Sequence, residues 1–255
     1  MEEQNTVASQ AESTAAEMSF SDKLMNVFAS PGELFEYVSK APKQTSNWAI
    51  PLLLTIVIGI VFTFVAFTQP PIQDEMARQR DKYTQQQIAA GKMTQEQADM
   101  IAERSPKPGS PMFLIFGAVG VVVVMFATLF LSALAFWLLG KVGFKSSATY
   151  GKTAEVVGLS MYVMALGSIL TLILVVAMGS LHATPSLALA VSDFDPMNKM
   201  HKLLASINIM TFWYLGIVAV GLGKLFAVSF GKVLSGVAVI WAAWTVITLF
   251  LNFGF

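Results

Sequence analysis

The apolar residues of the chain are gathered into five long runs, and the polar residues lie between them. The longest run, 113–139, contains 27 residues and no charged side chain. An α-helix needs roughly 20 apolar residues to cross the hydrocarbon core of a bilayer. We therefore expect an all-α membrane protein, a five-span transmembrane helix bundle. The predicted spans cover residues 48–68, 112–140, 154–179, 204–223 and 233–253.

The residues before the first span divide into two parts. Residues 1–18 contain four glutamates, no basic side chain and no aromatic ring, which predicts a disordered acidic tail. Residues 19–47 predict cytoplasmic amphipathic helices. The apolar side chains of the first such helix share one helical face, which is formed by Phe20, Leu24, Val27 and Phe28.

A second amphipathic helix is predicted to begin at the sequence Ser-Pro-Gly-Glu, residues 30–33. Ser30 and Glu33 fit a capping box, and Pro31 suits the first helical position. The apolar side of this helix is formed by Leu34, Phe35 and Val38. Such helices lie at the membrane interface or pack beneath the bundle. Two interpretations stay open for residues 19–40: packing on the protein's own loops, or a face for a protein partner.

The membrane domain, 48–253, contains one large polar insertion at 69–111. Gly91 divides it, and the sequence from Thr94 to Gln97 fits a capping box that begins a second helix. Six acidic and six basic side chains balance one another there. We predict an extramembrane helical hairpin, either simply solvated or a docking surface for a protein partner.

Another polar stretch precedes the fourth span. Asp195 and Pro196 fit a helix start, with Asp as the cap and Pro at the first position. That helix is predicted to continue without a break into the fourth span.

Candidate functional side chains are few, because no ionisable residue falls in the middle of a predicted span. Transporters and proton relays usually place such groups at depth. Glu155 lies at the start of the third span with Lys152 one turn before it, which favours a helix-end ion pair over a functional carboxylate. Asn208 in the fourth span and Asn252 in the fifth are the deeper polar candidates, and such side chains often join helices.

Composition excludes several classes of function. The chain has 16 basic and 16 acidic residues, so it offers no basic field for nucleic acid, and it has no cysteine for disulfides or thiolate sites. The histidines, His182 and His201, have no metal-ligand spacing with other donors. We expect no catalytic, metal-binding or cofactor-binding residue, and hence no enzyme.

The lysines indicate an orientation in the membrane. Eight basic residues fall on each side of a five-span topology, but the two shortest connections carry five lysines between them. Short loops count most in the positive-inside rule. We therefore expect the N-terminus in the cytoplasm and the C-terminus outside.

Three stretches resemble one protein family. They are 28–35 (FASPGELF) with 48–54 (WAIPLLL), 150–162 (YGKTAEVVGLSMY), and 212–222 (FWYLGIVAVGL). Together with the MTQEQ turn at 93–97, they are similar to the bacterial branch of the Yip-one family, the Ypt/Rab-interacting integral membrane proteins. The resemblance covers about 20–253 and implies five spans, a cytoplasmic N-terminus and no catalytic residues. The Asp-Leu-Tyr-Gly-Pro motif of the GTPase-binding eukaryotic members does not occur here.

These observations predict a non-enzymatic protein of the bacterial inner membrane. Its partners would be the lipid bilayer and other proteins, as an organiser, adaptor or accessory subunit. A small-solute channel or transporter is the alternative. Small residues recur four apart at positions that let helices approach closely, either within one bundle or in a homo-oligomer. These pairs are Thr128 and Ser132, Ala154 and Gly158, Ala219 and Gly223, and Ala238 and Ala242.

Overall fold

The computed structural model describes residues 18–250, which form ten α-helices. The predicted acidic tail, except for Met18, and the candidate Asn252 lie outside the described residues. In chain order the helices are α1 (Phe20–Ala29), α2 (Pro31–Lys40), α3 (Ser46–Ala66), α4 (Pro70–Ala89), α5 (Gln95–Arg104), α6 (Pro111–Leu138), α7 (Tyr150–Met178), α8 (Lys199–Ser206), α9 (Ile209–Phe226) and α10 (Phe230–Phe250).

Five of these helices are long and apolar enough to cross a membrane, which confirms the all-α bundle of five spans. The first to fifth spans are α3, α6, α7, α9 and α10, and a π-helical turn at Leu139–Gly143 extends the second. Residues 18–45 and the connections 144–149 and 227–229 lie at one end of the bundle, called here the N-terminal face. The insertion and the 179–208 connection lie at the other end, called here the hairpin face.

The third span is the centre of the bundle. Every residue from 153 to 163 is buried, and the span packs against the first, second and fourth spans. Its contact with the first span is closest at Gly158, where an added Cβ would lie 2.3 Å from the Cα of Trp48. Only a residue without a side chain fits there, so Gly158 allows the first and third spans to pack closely within one bundle.

The N-terminal helices pack beneath the bundle. α2 buries Leu34, Phe35 and Val38, as predicted, and packs mainly against the fourth span. The prediction for α1 was partly wrong, because this helix buries Val27 together with Lys23 and leaves Phe20 and Phe28 exposed. Relative to the predicted apolar face, the buried face is rotated so that Lys23 contacts Asn47, a contact that the apolar pattern does not predict.

The helix caps at this end also differ from the prediction. Ser30 precedes α2 and Pro31 is its first residue, but the Ser30 side chain makes no capping hydrogen bond, so no capping box with Glu33 forms. Ser30 is also the C-terminal cap of α1, and its backbone N–H donates to the Asn26 carbonyl. The capping box of this region lies instead at Ser19 and Asp22, at the start of α1.

The insertion is a helical hairpin, as predicted. α4 ends before Gly91, whose φ of +65° is easily adopted only without a side chain, and a capping box between Thr94 and Gln97 begins α5. The hairpin is anchored on the loop after the third span, where the Leu181 N–H donates to a Glu75 carboxylate oxygen at 2.8 Å. Lys82 and Asp195 add an ion pair of 2.6 Å.

The predicted continuous helix from Asp195 into the fourth span was wrong. Asp195 forms a turn in which its carboxylate accepts from the Met197 N–H, and α8 begins only at Lys199, after the cap Asn198. Asn208 then caps a separate helix, accepting from the Met210 and Thr211 N–H groups. A cap needs non-helical backbone angles, so the chain is interrupted there.

Candidate functional site

A group of buried polar side chains joins the N-terminal helices to the bundle. Its members are Lys23, Gln44, Asn47, Lys152 and Glu155, called here the ionic cluster. Glu155 is completely buried although it is a carboxylate, and Lys23 is only 8% exposed. Charged side chains are almost never fully buried unless they are paired, so these groups require partners.

Glu155 and Lys152 form the ion pair predicted from their spacing. The Lys152 ammonium lies 3.4 Å from Oε1 of Glu155, within the first turns of the third span. It also donates to the carbonyls of Val38, at 2.8 Å, and Pro42, at 3.2 Å. The Val38 carbonyl lies in the last turn of α2, where carbonyls have no partner within the helix. The Lys152 ammonium therefore caps the C-terminal turn of α2 and also neutralises the Glu155 carboxylate.

Asn47 connects this pair to α1. Its Nδ2 donates to Oε2 of Glu155 at 2.7 Å, and its Oδ1 accepts from the Lys23 ammonium at 2.9 Å. An amide can serve an ammonium and a carboxylate at once only with its oxygen towards the ammonium. The two charged neighbours therefore fix one orientation of the Asn47 side chain.

Lys23 reaches the cluster from the buried face of α1. Besides Asn47, its ammonium donates to Oε1 of Gln44 at 2.5 Å, and it lies 6.0 Å from the ring centre of Tyr37 on α2. Lysine can bury its aliphatic stem while its charged end finds polar groups. The result is a chain of contacts from α1 through the first span to the third span.

The carboxylate has one oxygen with no hydrogen bond. Oε1 of Glu155 is buried and faces only the Lys152 ammonium, at ion-pair distance. The cluster contains two ammonium groups and one carboxylate, and apart from this oxygen they are hydrogen-bonded to the chain's own groups. Among residues 18–250, no set of three or more His, Asp or Glu side chains could hold a metal ion. The arrangement therefore fixes helices relative to one another, which is a positioning role.

A second tie links α2 to the fourth span at the surface. Glu36 lies 2.6 Å from Lys40 and 3.0 Å from Lys224. Hydrogen bonds from Lys40, then from Lys224, lower the pKa of Glu36 to about 2. The carboxylate is therefore ionised at any physiological pH, so protonation does not remove these ion pairs under those conditions.

Sequence reasoning found two members of the ionic cluster and missed three. Lys152 and Glu155 are near neighbours on one helix, whereas Asn47 and Glu155 are 108 residues apart. One indication was present in the sequence. Lys23 lies between Phe20 and Val27, so a charged side chain adjoins the predicted apolar face of the helix. Asn208, the other described candidate, lies at the hairpin face as a helix cap, and the structure does not bring it to the cluster.

Comparison with known proteins identifies the family. The Yip1 domain model matches residues 25–251, nearly the whole chain. No curated protein matches the chain, and no solved structure matches it. The matched range includes both N-terminal helices from Met25 onward and all five spans. The chain therefore belongs to the Yip1 domain family of multi-pass membrane proteins.

Proposed function

We propose that this protein is a non-enzymatic organiser, adaptor or accessory subunit of the bacterial inner membrane, with its N-terminus in the cytoplasm. The observation that carries the proposal is the ionic cluster, which holds α1 and α2 rigidly beneath the spans. The polar groups of the cluster bond to one another and to backbone carbonyls, and these bonds position the helices. The positioned helices then offer their outer faces to protein partners.

The outer face of α1 has the character of a contact surface. Met25 is 61% exposed and Phe20 is 48% exposed, although both are large and apolar. Singly exposed apolar residues are common on protein surfaces, so the inference rests on the ionic cluster, which positions the helix that carries them. The hairpin offers a second surface, where Met100 and Ile101 are exposed on α5.

Site-specific crosslinking in native membranes tests the proposal. A photoreactive amino acid is placed at Met25, at Ile101 and, as a control, at Val239, which is 68% exposed on the fifth span. We expect a discrete adduct with a defined protein from Met25 or Ile101, and only lipid adducts from Val239. The Met25 adduct must disappear in an Asn47→Leu background. Adducts restricted to lipid or to a second copy at every position would overturn the proposal.

A small-solute channel or transporter is the second candidate, because Asn208 lines an uncharged cavity between the spans. Purified protein in liposomes tests it directly. Solute flux that is lost on Glu155→Gln or Asn208→Ala substitution would favour transport over the organising function.

A further inference from the structure

All five spans contribute side chains to one cavity, which is open on the side of Trp244. Its volume is about 680 Å³, and it extends from Asn208, at the hairpin-face end of the fourth span, to Phe136, in the last turns of the second span. Small-molecule sites in proteins typically measure roughly 300–1,000 Å³. The cavity therefore has room for one molecule of moderate size, with its long axis along the spans.

The walls carry hydroxyl groups that have no partner. They belong to Thr128, Ser132, Ser168, Thr171 and Tyr214, and within residues 18–250 none of them makes a hydrogen bond through its side chain. The buried Thr55 and Ser160 behave differently, since each donates to the carbonyl four residues earlier. Tyr214 is more than nine-tenths buried. These hydroxyls are accessible from the cavity, and polar groups within the hydrocarbon region need partners, so they favour a ligand that has oxygen atoms.

The remaining wall is apolar and adaptable. Met125, Met164 and Met210 contribute flexible side chains, and Trp241 and Trp244 contribute aromatic surface from the fifth span. Unbranched methionines fit irregular aliphatic shapes well. Among residues 18–250, no Asp, Glu, Lys, Arg or His lines the cavity. A phosphate or an ammonium group would enter without a counter-charge, at a large cost in desolvation.

We propose that this cavity binds a neutral lipid, a molecule with one aliphatic chain and a hydroxyl- or ester-bearing head. The head lies at Ser168, Thr171 and Tyr214, in the half of the cavity nearer the hairpin face, and the chain extends past Met164 and the two isolated hydroxyls of Thr128 and Ser132 towards Phe136. The proposal is independent of the organising function. The proposed occupant is a free neutral lipid, and the acyl chain of a bilayer phospholipid entering sideways is the alternative that the test must distinguish.

The test uses purified full-length protein in nanodiscs and two photoreactive probes. One is a monoacylglycerol with a diazirine in its chain, and the other is a lysophosphatidic acid with the same chain. Crosslinked residues are mapped by mass spectrometry. We expect the monoacylglycerol probe to label the segments of Met125, Met164 and Trp241, and excess unlabelled monoacylglycerol to compete. The phosphate probe should label these segments at least about tenfold less, which corresponds to about 1.4 kcal/mol.

Matched variants link the labelling to the cavity. Ser168→Phe fills the cavity and should reduce labelling about tenfold, whereas Ser235→Phe, on the exposed side of the fifth span, should leave it unchanged. Ser132→Leu is a smaller filling change in case the first variant fails to fold. Equal labelling in all three variants, or labelling spread over lipid-facing residues without competition, would overturn the site. Equal labelling by both probes would overturn the neutral head and identify a phospholipid chain.

Discussion

Replacing Asn47 by leucine should release α1 from the bundle. Leucine has a similar size but no polar atom, so Oε2 of Glu155 loses its 2.7 Å hydrogen bond and Lys23 loses one of its acceptors. A hydrogen bond to a charged group contributes about 1.5–3 kcal/mol. The Asn47–Glu155 bond joins two spans whether or not α1 is docked, and the Lys23 ammonium keeps its contact with Gln44, so we assign the weaker docking of α1 to the lost Lys23–Asn47 bond. Undocking of α1 should therefore become about 10- to 150-fold more frequent.

The chain has no native cysteine, so a single introduced thiol reports on undocking. Val27→Cys places that thiol on the fully buried face of α1, and Met25→Cys places it on the exposed face. Maleimide should modify the buried thiol about 10- to 150-fold faster in the Asn47→Leu background. The exposed thiol should react at one rate in both backgrounds and sets the upper limit.

Asn198→Leu is the matched control. It removes an asparagine side chain that caps α8 at the hairpin face, far from α1, and should leave the buried thiol protected. An acceleration of less than about threefold on Asn47→Leu would show that the Lys23–Asn47 bond does not hold α1, since a hydrogen bond to a charged group contributes more. The positioning role of the ionic cluster would then be refuted.

Three further predictions concern packing, pH and orientation. Gly158→Ala should destabilise the protein in detergent by about 1–3 kcal/mol or more, measured by thermal unfolding, because its Cβ would overlap Trp48; an unchanged transition would contradict the close approach. The pKa of Glu36 is lowered in the folded state, so its ion pairs stabilise α2 above pH 4.5 and are lost as the pH falls towards about 2; Glu36→Gln should remove this part of the acid sensitivity. Single thiols from Lys43→Cys and Gln85→Cys should react with an impermeant reagent from opposite sides of the membrane, the former from the cytoplasm. Reaction from one side would exclude the five-span topology.

The spans could be predicted because hydrocarbon imposes a simple requirement on sequence. A helix in lipid must be apolar over about 20 residues, and this signal is local. The hairpin could also be predicted from the sequence, because the capping box from Thr94 to Gln97 involves residues only three positions apart. The Lys152–Glu155 pair followed from the same short spacing on one helix.

The more distant members of the ionic cluster could not be predicted, because they come from segments far from Glu155 in the sequence. Asn47 meets the carboxylate, and Lys23 meets Asn47, only after the first and third spans pack, and that packing depends on the missing side chain at Gly158. The break before Asn208 was missed for a related reason. Its side chain competes with the helix for backbone N–H groups, and an apolar pattern does not report that competition.

The ionic cluster contributes more to the orientation of α1 and α2 than to the free energy of folding. A buried ion pair recovers its desolvation cost only with good geometry, and well-packed apolar residues often stabilise as much. Apolar contacts such as those of Val27 and Phe35 would hold α1 and α2 near the bundle without fixing their rotation. The bond to Glu155 fixes the Asn47 amide, and its oxygen then accepts from Lys23 in one direction, which favours one rotation of α1. The exposed face of Met25 is thereby held in one orientation, which a partner surface needs if it is to recognise it.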